Sequence, residues 1–586
     1  MPHPFRLSDL IRSTSSTVWL VSAVWVLLLV VWSVLPPVFR APDEPQHLDM
    51  VLYAQAAGPL QWVSPEGRVI SHTLEVAQVR FAHLDLESVE TSGAHAALRE
   101  GGLLAAEAIP RGDRPSLREL SREPGLPNDR INQMAQHPPM YYRVAGAMLS
   151  LVPGWQDAGL DVVVGLLRLL SVLLVAPLPL LAAGTIRVLG GDRHAQHAAA
   201  VSPFVIPQVA HIGSVITNDA LLITAAALLT LLCCRVLRGD HTATTGRWIG
   251  ATLLVALLTK GFALLLPLAV AAAYLGAWRR VGQPSGPDAL RRSLAWAMGL
   301  PALAGWWYGE NLLRYSTLQP SVEPPPVPDE LGSLAQFADA AWLTQSTTFW
   351  GRIGWAEVGL SAVTVNVASV VLVGLVLAGS LASGRRGRGS LLAVCLLPGV
   401  AVTASTLYRS FAVFGADGSL RAVQGRYAFV SLIGILVLAV LGLQRVLPGR
   451  LRPFTWVPVL AAAVALQVGT VLAGLRWFWT VGDDVPLREA VHAMVVWSPW
   501  SGQTLLVVLV LLVATVLAAV VGLVAGSLTG PLDGLARDAA GAAAGEGPQA
   551  PAAGEGSQAP AAGAQQQQDT GEQDDAVPAA GARVQR

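Results

Sequence analysis

This chain of 586 residues is short of charge. Only 13% of its residues are Asp, Glu, Lys or Arg, against about 25% in an ordinary soluble domain. A conventional water-soluble domain is therefore excluded. Net charge is missing too, because 39 Lys and Arg balance 39 Asp and Glu. No basic footprint for nucleic acid exists. Cysteine is scarce. Cys233 and Cys234 are adjacent in one apolar run and Cys395 lies in another, so neither a metal-ligand spacing nor a disulfide framework is present. The first apolar run, Val18 to Val34, lacks a small-residue cleavage site and reads as a retained helix rather than a signal peptide.

What is abundant is apolar sequence. Hydrophobic residues make up 53% of the chain and the mean hydropathy is +0.51. They fall in long runs, and about 20 apolar residues cross a bilayer. The fold class expected is all-α, a polytopic membrane protein of about twelve transmembrane helices. The spans lie near 17–39, 162–188, 196–214, 218–237, 247–260, 262–278, 292–308, 357–383, 390–408, 427–446, 454–474 and 503–529. With that number, the Arg clusters at 187–193, 235–238, 279–292, 385–388 and 445–452 all fall on the side of the N-terminus. Both termini are then cytoplasmic, and the bias to Ala, Gly, Arg and Val points to a bacterial plasma membrane.

The organisation follows. Residues 1–16 form a cytoplasmic N-terminus, 17–39 the first transmembrane helix, and 40–161 a large outer loop with interfacial helices. Residues 162–529 form a multi-helix membrane domain, and 530–586 a disordered cytoplasmic tail with no apolar face to offset ordering entropy. The segment Pro139 to Val152 is apolar but short, and its Tyr141-Tyr142 pair suits a helix lying at the interface. Trp477, Trp479, Trp497 and Trp500 suit an interfacial belt or, less commonly, a sugar-stacking surface.

The ionisable residues crowd the outer ends of the helices. Asp43 and Glu44 sit in Ala41-Pro42-Asp43-Glu44-Pro45-Gln46-His47. Proline restricts the residue before it to extended angles, so Ala41 and Glu44 are expected outside any helix, with both acids on a stiff stretch at the water–lipid boundary. Arg168 lies in the outer half of the second span, Asn218-Asp219 opens the fourth, Lys260 joins two short spans, and Arg426-Tyr427 opens the tenth. A charge near hydrocarbon costs several kcal/mol unless paired or set in a wet cavity. One shared outer cavity resolves all of them. Bland alternatives stand beside it: Asp219 as a helix cap, Lys260 snorkelling, Arg168 in a structural pair, and Arg426 as an interfacial anchor.

In such a cavity Asp43 or Glu44 suits general-base work, and Lys260 and Arg426 suit a phosphate. The chemistry indicated is displacement at a carbon that bears a phosphate, where a lipid can enter. Asp43 and Glu44 are the catalytic candidates. His47, His137, Tyr141, Arg168, Asp219, Lys260, Arg426 and Tyr427 are the candidate substrate-binding residues. No metal site is assigned, although Asp43, Glu44 and Asp219 have the oxygen ligands a divalent metal takes.

Several motifs, in order, carry a resemblance. They are the Asp43-Glu44 segment, Gln136-His137-Pro138-Pro139-Met140-Tyr141-Tyr142, Thr217-Asn218-Asp219-Ala220, Leu258-Thr259-Lys260-Gly261, Phe349-Trp350-Gly351-Arg352-Ile353-Gly354-Trp355 and Gln424-Gly425-Arg426-Tyr427. Together they resemble the GT-C superfamily of membrane glycosyltransferases. More narrowly, they resemble the bacterial membrane family known as domain of unknown function 2142. The resemblance implies a GT-C-like fold, a polyprenyl-phosphate-linked sugar as donor and an inverting transfer on the outer face. It implies Asp43 as base, Glu44 orienting a substrate and Lys260 on the phosphate. Partners would be membrane lipid and a cell-envelope glycan, lipid or protein acceptor. Competing readings are a transporter or flippase of lipid-linked glycans, which predicts repeated halves and broken helices, and a non-catalytic assembly protein.

Overall fold

Hydrocarbon offers no water to bond backbone amides, so a chain this apolar must satisfy them inside helices. The computed structural model describes residues 5–57, 68–82, 84, 101–124, 130–280, 286–320, 332–382, 387–418, 420–482 and 485–545. Helices dominate. The one sheet among the described residues is an antiparallel hairpin, Arg352–Ile353 against Val358–Gly359. Among the described residues, eight helices are long and apolar enough to cross a membrane: Leu160–Val188, Asp219–Leu237, Gly261–Trp278, Ala362–Leu381, Arg388–Ala416, Gly425–Val446, Trp456–Trp479 and Gly502–Leu528. Each matches an expected span, and the protein is a multi-pass membrane protein.

The remaining expected spans take other forms. The first is a helix of 17 residues, Ser16–Trp32. The segment 247–260 is the 15-residue helix Ala243–Leu257, about 22 Å long against a hydrocarbon core of about 30 Å. Segment 196–214 is broken into Arg193–Val201, Ser202–Val205 and Pro207–Ile212. Segment 292–308 is broken into Gly286–Gly299, Leu300–Ala304 and Gly305–Tyr315. Pro203, Pro207 and Pro301 stand at these breaks, where each removes a backbone donor and clashes with the preceding turn.

Exposure sorts the long helices. Asp219–Leu237 is mostly buried, whereas Gly502–Leu528 shows Leu506, Val510 and Val521 on its surface, as a lipid-facing helix does. Residues Met1–Gly530 form one compact unit and Pro531–Arg586 another. The last helix is Gly502–Gly545. Residues 546–586 of the expected tail lie outside the described residues.

Two expectations for the first outer loop are corrected. Glu44 is not held out of a helix. It opens the helix Glu44–Ala56 with Pro45 as second residue, a first-turn position where proline loses no needed hydrogen bond. The Pro139–Val152 segment forms the helix Met140–Ser150, but its tyrosines are not at an interface. Tyr141 and Tyr142 are fully buried in a core shared with Leu48, Met50 and Val51. Their hydroxyls find partners there: Tyr141 accepts from the Thr217 amide at 3.1 Å, and Tyr142 bonds His47 Nδ1 at 3.1 Å. A buried tyrosine needs such a partner.

Glycine lets the membrane helices close up. The helices Ala362–Ala382 and Leu432–Val446 cross at Gly379 and Gly442. A Cβ on Gly379 would overlap the carbonyl of Leu438, and one on Gly442 the carbonyl of Leu375. Small residues permit this approach, from which helix pairs in lipid draw their packing. Gly442→Leu should separate the pair and lower the thermal midpoint of the protein in detergent by several degrees, as overpacking costs about 1–3 kcal/mol. An unchanged midpoint would contradict the close crossing.

Candidate functional site

The segment between the first helix and Glu44–Ala56 is tied by one ion pair. Arg168 reaches Glu44 with two parallel bonds, Nε to Oε1 at 2.8 Å and Nη2 to Oε2 at 2.7 Å. Its remaining donors go to the carbonyls of Ser33 (2.7 Å), Pro36 (2.8 Å) and Pro37 (2.9 Å). All the N–H groups of the guanidinium are thereby used. Glu44 also accepts from the amides of Phe39 at 2.9 Å and Ile216 at 3.2 Å. Both side chains are buried. The pair ties the end of the first helix, the helix Leu160–Val175 and the approach to Asp219 together.

A second brace comes from the Phe349–Trp355 motif. Gly354, with φ +66, turns the hairpin. Trp355 Nε1 donates to the Phe39 carbonyl at 3.0 Å. Arg40 pairs with Glu357, which also accepts from the Trp355 amide (3.1 Å) and Trp477 Nε1 (2.9 Å). Between these braces Phe39 (φ 69) and Asp43 (φ 57) are held in the left-handed region. Such angles cost of order 1–3 kcal/mol in a non-glycine residue and persist only when surrounding contacts enforce them. Asp43 stands just before the helix with its side chain 29% exposed.

Lys260 is placed by capping. The helix Ala243–Leu257 ends with carbonyls that lack partners of their own. Tyr308 Oη donates to Leu257 O at 2.7 Å, the Met140 amide to Leu258 O at 2.8 Å, and Asn218 Nδ2 to Thr259 O at 3.4 Å. The next residue, Lys260, then points its Nζ to Asp219 Oδ1 at 2.6 Å. Arg426 opens the turn Gly425–Ser431. Gly425 allows this because a Cβ would overlap the carbonyl of Gln345, and its amide donates to Thr348 Oγ1 at 2.7 Å. Arg426 lies 3.6 Å from Asp43 Oδ2 and 3.8 Å from Asp219 Oδ2. The Tyr427 ring lies 5.3 Å from Lys260 Nζ and 5.8 Å from the Arg426 guanidinium.

The structure thus brings Asp43, Asp219, Lys260, Arg426 and Tyr427 into one chain of charges. His47 and His137 lie within its electrostatic reach. Glu44 and Arg168 form the adjoining clamp, and Tyr141 sits between clamp and cluster through Thr217. Inside the cluster the pairing is incomplete. Asp219 Oδ2, Arg426 Nε, Asn218 Oδ1 and His137 Nδ1 are buried without a hydrogen-bond partner. Polar atoms so placed are costly unless something else bonds them. Among the described residues no group of three or more His, Cys, Asp or Glu is arranged to hold a metal ion. The acids here alternate with cations.

Burial holds the two histidines neutral. It lowers His137 to about 3 and His47 well below its usual value, and nearby positive charge adds to both shifts. The tryptophans are staples. Trp479 donates to Leu35 O (2.7 Å), Trp477 to Glu357, and Trp497 to Leu104 O (3.0 Å). Sequence reasoning missed Asn218, Tyr142 and Glu357 as site-building residues. It also missed one signal in plain view. Lys260 is the chain's single lysine, and every other one of its 39 Lys and Arg residues is arginine. A chain that uses arginine everywhere else keeps a compact ammonium at this one buried position, and the two are not interchangeable.

Removing one partner of a buried pair leaves the other charge stranded. Arg168→Leu should cost about 3–5 kcal/mol, read as a large fall in the detergent thermal midpoint, and the double variant with Glu44→Leu should cost less than the two singles added. Additive losses would deny the coupling. Acid should also destabilise the protein. Unfolded histidine takes a proton near pH 6.5, whereas folded His137 does so at about 3. The unfolded state therefore binds more protons between these values, and stability falls with pH by about 1.4 kcal/mol per unit per histidine. Melting curves from pH 7 to 5 should show the fall, shallower in His137→Asn. An identical slope in the variant would contradict the assignment.

Several solved structures resemble the chain weakly. ArnT from Cupriavidus metallidurans bound to undecaprenyl phosphate matches at 14% identity and TM-score 0.41, over 88% of this chain and 76% of that one. The arabinofuranosyltransferase AftD from Mycobacteria matches at 18% identity and TM-score 0.37, over 79% of this chain but 27% of its own length. The Archaeoglobus fulgidus oligosaccharyltransferase in the apo form matches at 12% identity and TM-score 0.30, over 73% and 55%. Scores below 0.5 establish neither fold nor activity. No curated protein matches the chain. Residues 26–439, which hold every motif of the site, match the model of the predicted membrane proteins DUF2142, and the chain belongs to that family.

Proposed function

We propose that the protein is a membrane glycosyltransferase. It moves a sugar from a polyprenyl-phosphate donor to a cell-envelope acceptor on the outer face of a bacterial plasma membrane, with inversion. Both termini are then cytoplasmic. The observation that carries this reading is the run Lys260–Asp219–Arg426–Asp43, with Arg426 held at 3.6 and 3.8 Å between two carboxylates and its Nε unbonded. Such an arginine keeps a donor, its Nε, for a charge-assisted bond to a phosphate oxygen.

The chemistry follows from the groups. An acceptor hydroxyl attacks the anomeric carbon, and the bond from that carbon to the phosphate oxygen breaks with its electron pair. The proton of the attacking hydroxyl passes to Asp43, the exposed carboxylate of the cluster. General-base help of this kind is worth about 10²–10⁴ in rate. Charge that builds on the departing phosphate meets Lys260 and Arg426, fixed beforehand and largely shielded from water, where such stabilisation is strongest. Asp219 holds Lys260 in place. Glu44 has both oxygens engaged, so its part is to hold the turn that carries Asp43. An apolar groove of about 320 Å³, lined by Leu396, Val400, Leu407, Ala428 and Ile435, begins two residues from Arg426 and suits a lipid tail.

The test is transfer by purified protein in lipid, from radiolabelled polyprenyl-phosphate sugars to envelope extract. Asp43→Asn should fall at least about 100-fold while its thermal midpoint holds. Lys260→Arg should lose about tenfold or more, since a fork does not replace a point charge. Equal transfer by Asp43→Asn would remove Asp43 as base. Absence of transfer from every donor would count against the glycosyltransferase reading.

A further inference from the structure

Gly261 follows the single lysine, and its own backbone does not require glycine, because its φ lies outside the left-handed region. Space requires it. A Cβ on Gly261 would overlap Oε1 of Gln319 and stand 2.5 Å from Cδ. The glycine of the Thr259-Lys260-Gly261 motif is a seat for the Gln319 amide.

The chain delivers Gln319 there deliberately. The helix Gly305–Tyr315 is anchored to the Lys260 turn by Tyr308, whose hydroxyl caps Leu257 at 2.7 Å. It ends on Ser316, a non-glycine residue at φ +55. The chain then folds back: Asn311 Nδ2 donates to Leu318 O at 3.4 Å and Thr317 Oγ1 to Gln319 O at 3.3 Å. Gln319 is half-buried, and among the described residues its side-chain amide has no hydrogen-bond partner. The amide is thus held against Gly261, next in the chain to Lys260, with its donors and acceptor open to water or to a ligand.

We infer that Gln319 contacts the sugar of the lipid-linked donor and sets which sugar is accepted; this rests on the function proposed above. The donor–acceptor inventory selects the sugar over the phosphate. Lys260 and Arg426 offer only donors, which suits phosphate oxygens. Sugar hydroxyls both give and take hydrogen bonds, and an amide does both. Gln319 packs on the residue next to Lys260, so its reach is to the group attached to the bound phosphate. Sites built to bond a substrate hydroxyl also reject analogues that lack it.

The experiment uses the full chain in nanodiscs, with binding read by native mass spectrometry. The probes are undecaprenyl phosphate alone and undecaprenyl phosphate carrying a pentose or a hexose. The variants are Gln319→Leu, which removes the amide, and Gly261→Ala, which displaces it without changing its chemistry. In wild type both probe classes should bind, the better sugar-bearing one more tightly. In both variants undecaprenyl phosphate should bind as before, which also reports an intact fold. The advantage of the sugar-bearing probe should fall about tenfold, as for one lost hydrogen bond, and the preference between pentose and hexose should flatten. A retained advantage would overturn the inference, and so would equal weakening of both probe classes, which marks a structural role. Wild type that binds undecaprenyl phosphate with no gain from a sugar would overturn it while sparing the phosphate site. Wild type that binds neither probe would overturn the underlying function as well.

Discussion

The site depends on one buried ion pair. Arg168 and Glu44 meet where the helix Ser16–Trp32, the segment after it and the approach to Asp219 converge. Two charges removed from water are costly, and attraction offsets that cost only with good geometry and every remaining donor and acceptor filled. Here the guanidinium spends all its donors and the carboxylate takes two amides besides. The return is positional. A loop free to relax would not keep Phe39 and Asp43 at left-handed angles. The clamp, with the hairpin brace through Trp355 and Glu357, makes that arrangement the lowest available.

The neighbouring cluster has the opposite character. Glu44 and Arg168 are saturated, whereas Asp219, Arg426, Asn218 and His137 each leave a buried atom unbonded. The contrast separates chemically similar residues in adjoining networks. A complete network rigidifies, and an incomplete one leaves buried polar atoms unbonded at a cost. Neutral His47 and His137 keep the cluster from gathering further positive charge. The single lysine belongs to this part, where a compact cation fits between its carboxylate and its aromatic neighbours.

Glycines form a second layer of control. Gly379 and Gly442 bring two membrane helices into backbone contact, Gly425 seats Arg426 against the helix Leu334–Trp350, and Gly261 admits Gln319. None of these needs a special φ. Each marks a place where two chain segments come closer than a side chain permits, and three of the four surround the charges or the helices that carry them.

Much of this was legible in the amino-acid order. Runs of about 20 apolar residues located the eight long spans, because hydrocarbon thickness sets a length that sequence alone can reveal. The cost of charge near lipid made Asp43, Asp219, Lys260 and Arg426 candidates for one site before any coordinate was known. Other matters were decided only by three-dimensional packing. The restriction before proline argued Glu44 out of a helix, yet the Arg168 clamp makes it the first residue of one. A tyrosine pair on a short apolar helix looked interfacial, yet the helix Glu44–Ala56 covers it. The separate fates of Glu44 and Asp43, adjacent in the chain, were equally hidden. Composition and periodicity report what a residue must do with water, and that determined membrane and helices. Which carboxylate is fully buried on an arginine and which stays part-exposed depends on partners 124 and more positions away along the chain, and only the folded arrangement chooses them.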